Sequence, residues 1–180
     1  MSGLNKRTSK NKETRYFIGE ALIQLMQKTP MEEIRISTIV KTAGVSRMTY
    51  YLYYDSKIDV LNDYVHEIVM DYHNELLTLS PVPQFNSYTN ILYCLHHFRT
   101  CSHLALTLEH QNLYYLFQNA LNHYMETYVK PSYTGSAYEL YYYSGALANL
   151  YLRWVLHGMQ ESEEELADLV YRMNKHPYQL

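Results

Sequence analysis

Three observations on the 180-residue sequence predict an all-α fold. Apolar residues recur at i, i+3, i+4 and i+7 along most of the chain, which places them on one side of an α-helix. Three serine–acid pairs, Ser56/Asp59, Ser136/Glu139 and Ser162/Glu165, stand where such stripes begin. Each can close a capping box that satisfies N–H groups left over at a helix start. No stretch alternates apolar and polar residues as a half-buried strand does, and no internal repeat stands out.

The elements follow in order. Residues 1–7 read as a polar tail. A first helix is expected over Thr8 to Lys28, striped by Ile18, Ala21, Leu22, Leu25 and Met26, with Lys6, Arg7, Lys10, Lys12 and Arg15 clustered at its start. Thr29-Pro30 ends it, because the residue before proline avoids the α region. From Ile36 to Leu61 the chain reads ISTIVKTAGVSRMTYYLYYDSKIDVL. Ser37 can cap a short helix with Ile39, Val40 and Ala43 on its apolar edge. Gly44 supplies the positive φ of a sharp turn. Ser46 is a second N-cap, opening a helix from Arg47 to Tyr54 whose inward residues are Tyr50 and Tyr54. Two short helices around a glycine turn make a helix-turn-helix pattern.

Ser56 opens a long helix with the stripe Leu61, Tyr64, Val65, Ile68, Val69 and Tyr72. Ser80-Pro81-Val82-Pro83 is the clearest break. Beyond it, Tyr88, Ile91, Leu92 and Leu95 mark another helix, and a short one follows around Leu104 to Leu108. Leu113 through Tyr128 is expected to be one uninterrupted stripe, ended by Lys130-Pro131. Ser136 opens a helix to about His157 that is apolar nearly all round, with Ser144, Gly145, Ala146 and Ala148 in its middle. Such a helix is buried on two sides, and in a chain of this size the second side is expected to meet a copy of itself. Leu166, Leu169, Val170 and Met173 stripe the last helix. Residues 1–60 are expected as one domain and 61–180 as a second.

Composition excludes several classes. With 47% apolar and 18% charged residues, the chain is of the globular type. It has no apolar run long enough for a membrane span and no apolar leader, so a cytoplasmic protein with Cys94 and Cys101 reduced is expected. The net charge of −3 is unevenly spread. Residues 1–60 hold ten Lys/Arg against six Asp/Glu, and residues 61–180 hold five against twelve. A basic first third on an acidic body attracts phosphate locally. HExxH, GxSxG, P-loop and GxGxxG motifs are missing, so no enzyme and no cofactor are expected. His96, His97, Cys101, His103, Glu109 and His110 are of metal-ligand type, but their spacing is not that of a closed site, and no metal is assigned. The second part carries 16 of the 21 tyrosines; they suit either a pocket for a flat, partly polar molecule or plain helix packing.

Ile39, Ala43, Gly44, Val45, Ser46, Thr49, Tyr50, Tyr51, Tyr53, Tyr54, Lys57 and Leu61 carry a resemblance over residues 8–61 to the TetR/AcrR transcriptional regulators. In that family a Gly-Val-Ser turn is followed by Thr, two aromatics, a His-Phe-like pair and Lys. Here Met48 stands where a small residue is common, and Tyr53 replaces the usual His. The resemblance implies a three-helix, helix-turn-helix DNA-binding domain and a C-terminal helical bundle for dimerisation and effector binding. It implies a homodimer on a near-palindromic operator, with Arg47, Met48, Thr49 and Leu52 of the recognition helix near base edges and its cap Ser46 also among the DNA-binding residues. Tyr51, Tyr53 and Lys57 would hold phosphates, helped by Thr38, and repression by a small-molecule-controlled protein is the family default. The run from Tyr141 through Trp154, Gly158 and Ser162-Glu163-Glu164 is similar to a subgroup that includes regulators of dihydroxyacetone-kinase operons. That similarity implies activation through a protein co-activator, with no small-molecule pocket.

Overall fold

The chain is described by a computed structural model covering residues 2–175, with side chains from residue 11 onward. The expected basic positions Lys6, Arg7 and Lys10 therefore lie outside the described side chains. Among the described residues the regular structure is helical: α1 (Ser2–Met26), α2 (Ile36–Ala43), α3 (Arg47–Tyr53), α4 (Lys57–Leu76), α5 (Tyr88–Thr100), α6 (Ser102–His110), α7 (Tyr115–Tyr124), α8 (Ala137–Leu156) and α9 (Glu163–Lys175). The first helix thus begins at Ser2, within the stretch expected as a tail. Among the described residues no helix is long and apolar enough to cross a membrane.

Two compact units form, Met1–Ile68 with Thr107–Leu116, and Val69–Leu106 with Phe117–Leu180. The division falls inside α4, not at the expected 60/61, for a packing reason. Leu61, Tyr64 and Val65 are buried, and the Tyr64 ring lies 5.3 Å from that of Tyr16 on α1. Segment 107–116 joins the first unit partly through one amide. Gln111 Nε2 donates to the carbonyl of Met26 at 2.9 Å, and the Met31 N–H donates to Gln111 Oε1 at 3.1 Å.

In the first unit α1 is buried on more than the expected face. Ile18 and Leu22 are fully buried, and so is Ile23, while Leu25 is half-exposed. Tyr16, Gly19 and Ile23 are spaced i, i+3, i+7 and make a second stripe, against which Tyr64 lies. Gly19 permits that approach: a Cβ there would sit 2.6 Å from Cβ and Cγ of Tyr64, whose hydroxyl donates to Glu20. Alanine would gain about 1 kcal/mol of helix propensity, but overpacking costs about 1–3 kcal/mol. Because the clash is with the base of a tethered ring, overpacking wins. Gly19→Ala is expected to lower the melting temperature by several degrees in a thermal scan, and an unchanged or raised value would refute this account.

In the second unit the aromatic centre is Phe98, Phe117 and Tyr151, with ring centroids 5.1–5.9 Å apart. Tyr151 donates to the Phe98 carbonyl at 2.8 Å. Helix α9 packs on α5, where Glu163 meets His96 at 2.9 Å and Arg99 at 3.4 Å. The Ser56/Asp59 and Ser162/Glu165 capping boxes both close reciprocally. Ser136 caps α8 through the Tyr138 N–H, but the Glu139 carboxylate accepts from the Tyr133 hydroxyl, so that box is only half made.

The expected continuous stripe to Tyr128 is interrupted. Helix α7 ends at Tyr124, Met125–Val129 forms a π-helical turn, and Lys130–Ser132 a 3-10 turn. A π turn inserts one residue, so the next core position moves from Tyr128 to Val129. Val129 is buried while Tyr128 is partly exposed, its ring lying 4.4 Å from that of His73. Pro131, which has no N–H to donate, prevents the α ladder from resuming.

Candidate nucleic-acid interface

Helix α2 starts without the expected Ser37 cap. Arg35 is its N-cap, in extended conformation and with no side-chain hydrogen bond. Ile34 and Ile39 occupy the N′ and N4 positions of a hydrophobic staple, and both are buried. Apolar contact at the entry therefore sets the helix start, and Ser37 is an exposed residue of the first turn. At the other end Gly44 has φ +68° and its N–H reaches the Val40 and Lys41 carbonyls. The Val45 N–H returns to Val40 at 3.0 Å, which completes a Schellman-type stop.

Ser46 then caps α3, its Oγ accepting from the Thr49 N–H at 3.0 Å and lying 2.8 Å from Thr49 Oγ1. Inward, Tyr50 is fully buried, and burial pushes its phenol up to about 12. Tyr54 is buried as well and donates to Asp63 Oδ2 at 2.5 Å. Burial, reinforced by that bond, raises its pKa. These two tyrosines are packing residues.

The opposite side of α3 is open. Met48 is 82% exposed, Leu52 73% and Tyr51 56%. Arg47 is exposed beside them, and Thr38 is exposed on α2. A helix of seven residues is about 10 Å long and fits a major groove about 12 Å wide. Lys41, exposed and three residues on from Thr38, shares that side of α2. The i, i+3 spacing in the sequence is the signal for it.

Two expected phosphate contacts have other engagements. The Tyr53 hydroxyl donates to Asn11 Oδ1 of α1 at 3.0 Å. The Lys57 ammonium donates to the carbonyls of Met31, Glu32 and Ile34, the last two at 3.3 and 3.1 Å. An ammonium has three protons, and three carbonyls take them. Tyr53 braces α3 against α1, and Lys57 ties the start of α4 to the turn before α2.

Within the second unit, the end of α4, loop 77–87, the start of α5 and the π turn enclose an open cleft of about 550 Å³. His73 Nδ1 lies 3.3 Å from Tyr124 Oη, and its ring is 4.4 Å from that of Tyr128. The histidine–cysteine series is not brought together. His96 pairs with Glu163 and His97 with Glu75, while Cys94 and Cys101 are buried thiols pushed up to about 12 by desolvation. Among the described residues no three metal-ligand side chains converge.

A family model described as "Transcriptional regulator C-terminal region", of the TetR type, matches residues 86–176. Among solved structures, the "Dihydroxyacetone kinase operon activator DhaS" is similar at 19% identity and a TM-score of 0.58, over 89% of this chain and 93% of that one. The fatty acid degradation regulator FadR from Bacillus halodurans is similar at 19% identity and 0.57, over 88% and 93%. At these identities both bear on the fold alone. No curated protein matches the sequence.

Proposed function

Because this chain belongs to the TetR family of transcriptional regulators, we propose that it binds a near-palindromic DNA operator as a homodimer and releases it under effector control. One observation carries the reading. Arg47, Met48, Tyr51 and Leu52 are held outward on a capped helix whose inner residues Tyr50 and Tyr54 are buried. Three large exposed apolar or aromatic side chains beside an arginine suit base edges. The guanidinium can pair with guanine, Met48 and Leu52 can meet thymine methyls, and Tyr51 can donate to a phosphate. Thr38 and Lys41 add polar and cationic groups on α2, and Ser46 and Thr49 hold the start of α3. Tyr53 and Lys57 act here as braces.

Dimerisation is supported by what α8 and α9 leave uncovered. Tyr138, Tyr142, Leu169 and Met173 are exposed, although their helices otherwise supply core. An effector that favours one arrangement of the body would alter the spacing of the two recognition helices, and occupancy shifts in proportion to that preference. Repression is the sign we assign. A second reading makes the body a docking surface for a protein co-activator.

Selection of genomic fragments on the purified protein at about 0.1 M salt tests the proposal. A short inverted repeat should be enriched. Its affinity should fall with salt along a log–log slope of about −4 or steeper, since each neutralised phosphate contributes about −0.9. Enrichment of no common site, or binding indifferent to salt, would sink it.

A further inference from the structure

The cleft in the second unit has a chemistry of its own. Among the described residues, none that lines it is Asp, Glu, Lys or Arg. Leu76 and Val82 give aliphatic wall, Phe85 and Tyr128 aromatic wall, and Asn86 and Asn90 neutral hydrogen-bonding groups. Burial holds the His73 pKa below the usual imidazole value, which favours its neutral form. Charged residues close in sequence to the lining have other partners: Glu75 meets His97 at 2.9 Å, Glu126 accepts from the Tyr141 hydroxyl, Lys130 donates to the Gly135 carbonyl at 2.8 Å, and Glu139 accepts from Tyr133. An ion entering this cleft would shed hydration without meeting a counter-charge, which is costly.

The walls are set in advance. Tyr143 donates to the Phe85 carbonyl at 3.0 Å, and the Phe85 ring stands edge-on to Tyr143 and Tyr133 at 5.2 and 5.5 Å. The buried Tyr72 hydroxyl donates to Asn90 Oδ1 at 2.9 Å. That bond fixes the amide and leaves its NH2 as the donor at the cleft wall. The π turn brings Tyr128 over His73, and such turns recur at functional sites. A volume of about 550 Å³ lies within the range of small-molecule sites.

We propose that this cleft binds an uncharged aromatic molecule carrying a hydrogen-bond acceptor such as a carbonyl, the ring lying along Phe85 and Tyr128 and the acceptor meeting the Asn90 amide. The proposal rests on the reading of the second unit as the part that receives an effector. It names the class of that effector and excludes carboxylates, phosphates and ammonium compounds.

A matched set of probes tests it on the full chain without DNA: naphthalene-2-carboxamide, naphthalene-2-carboxylate and 2-naphthylmethylammonium, followed by ligand-observed NMR and calorimetry. The amide should bind saturably, and the two ions at least tenfold more weakly. Tyr128→Ala should weaken the amide about tenfold. Val82→Trp, which fills the mouth from an exposed position, should abolish binding with the helical circular dichroism unchanged. Equal binding of either ion, amide binding that survives Val82→Trp, or no amide binding at about 1 mM would overturn the proposal. Adding the amide to a protein–operator complex is a separate readout. Binding in the cleft without any change in operator affinity would leave the site standing and remove its role as an effector site.

Discussion

Replacing Arg47 and Tyr51 together by alanine should lower operator affinity by about 100-fold or more while lowering thermal stability only slightly, through loss of the edge contact of Tyr51 on Tyr50 at 5.5 Å. Both side chains project from α3 into solvent, and neither is among the packing residues Tyr50 and Tyr54. A bidentate arginine–guanine pair contributes about 1–3 kcal/mol, and a hydrogen bond to a charged phosphate about 1.5–3 kcal/mol. A homodimer loses each of these twice, so the combined loss exceeds the about 2.7 kcal/mol that corresponds to 100-fold. The single variants should separate the roles. Arg47→Ala should relax preference at one base position in each half-site, and Tyr51→Phe should weaken all sequences alike. Fluorescence anisotropy on the selected repeat, beside a thermal melt, measures both. Unchanged affinity in the double variant would move the DNA contact away from the outer face of α3.

Short-range chemistry makes the helix-turn-helix legible in the sequence. Gly44 at φ +68° and the Ser46 cap are each dictated by a residue's own backbone preference or by a partner three positions away. The two serine–acid boxes that close, at Ser56 and Ser162, are equally local. The departures from the local pattern come from packing and from competing hydrogen-bond partners. Ser37 was displaced as a cap because the buried Ile34 and Ile39 set where α2 begins. Glu139 failed to complete its box because Tyr133 took the carboxylate. Tyr53 and Lys57 stand at family-like positions, but Asn11, 42 residues away, and three carbonyls between 31 and 34 use their donors. Nor does any local pattern announce that Gln111 will bond to Met26 and Met31. The cleft was hardest to read. Its aromatic content was visible as an excess of tyrosine, but the one-residue shift at the π turn, which leaves Tyr128 partly exposed, has no signature in the periodicity beyond Pro131 following it.

Tyr142→Glu with Leu169→Glu should convert the protein to a folded monomer and reduce operator affinity by a further large factor, again above 100-fold. Tyr142 is 68% exposed and Leu169 41%, so both offer apolar surface that a partner copy can cover. In an interface with two-fold symmetry each substitution is introduced twice, and residues near the axis meet their own copies. Burying uncompensated carboxylates there costs several kcal/mol, and no neighbouring excess of cations relieves it: residues 61–180 carry twelve acidic side chains against five basic ones. The loss reaches DNA because two linked recognition helices bind with an effective concentration that one helix lacks. A monomer reads one half-site alone. Sedimentation velocity should show the change in mass, and circular dichroism should show the helices retained. A variant that still sediments as a dimer would place the interface on another surface. A monomer that binds the full repeat as tightly as wild type would instead break the link between dimerisation and operator recognition.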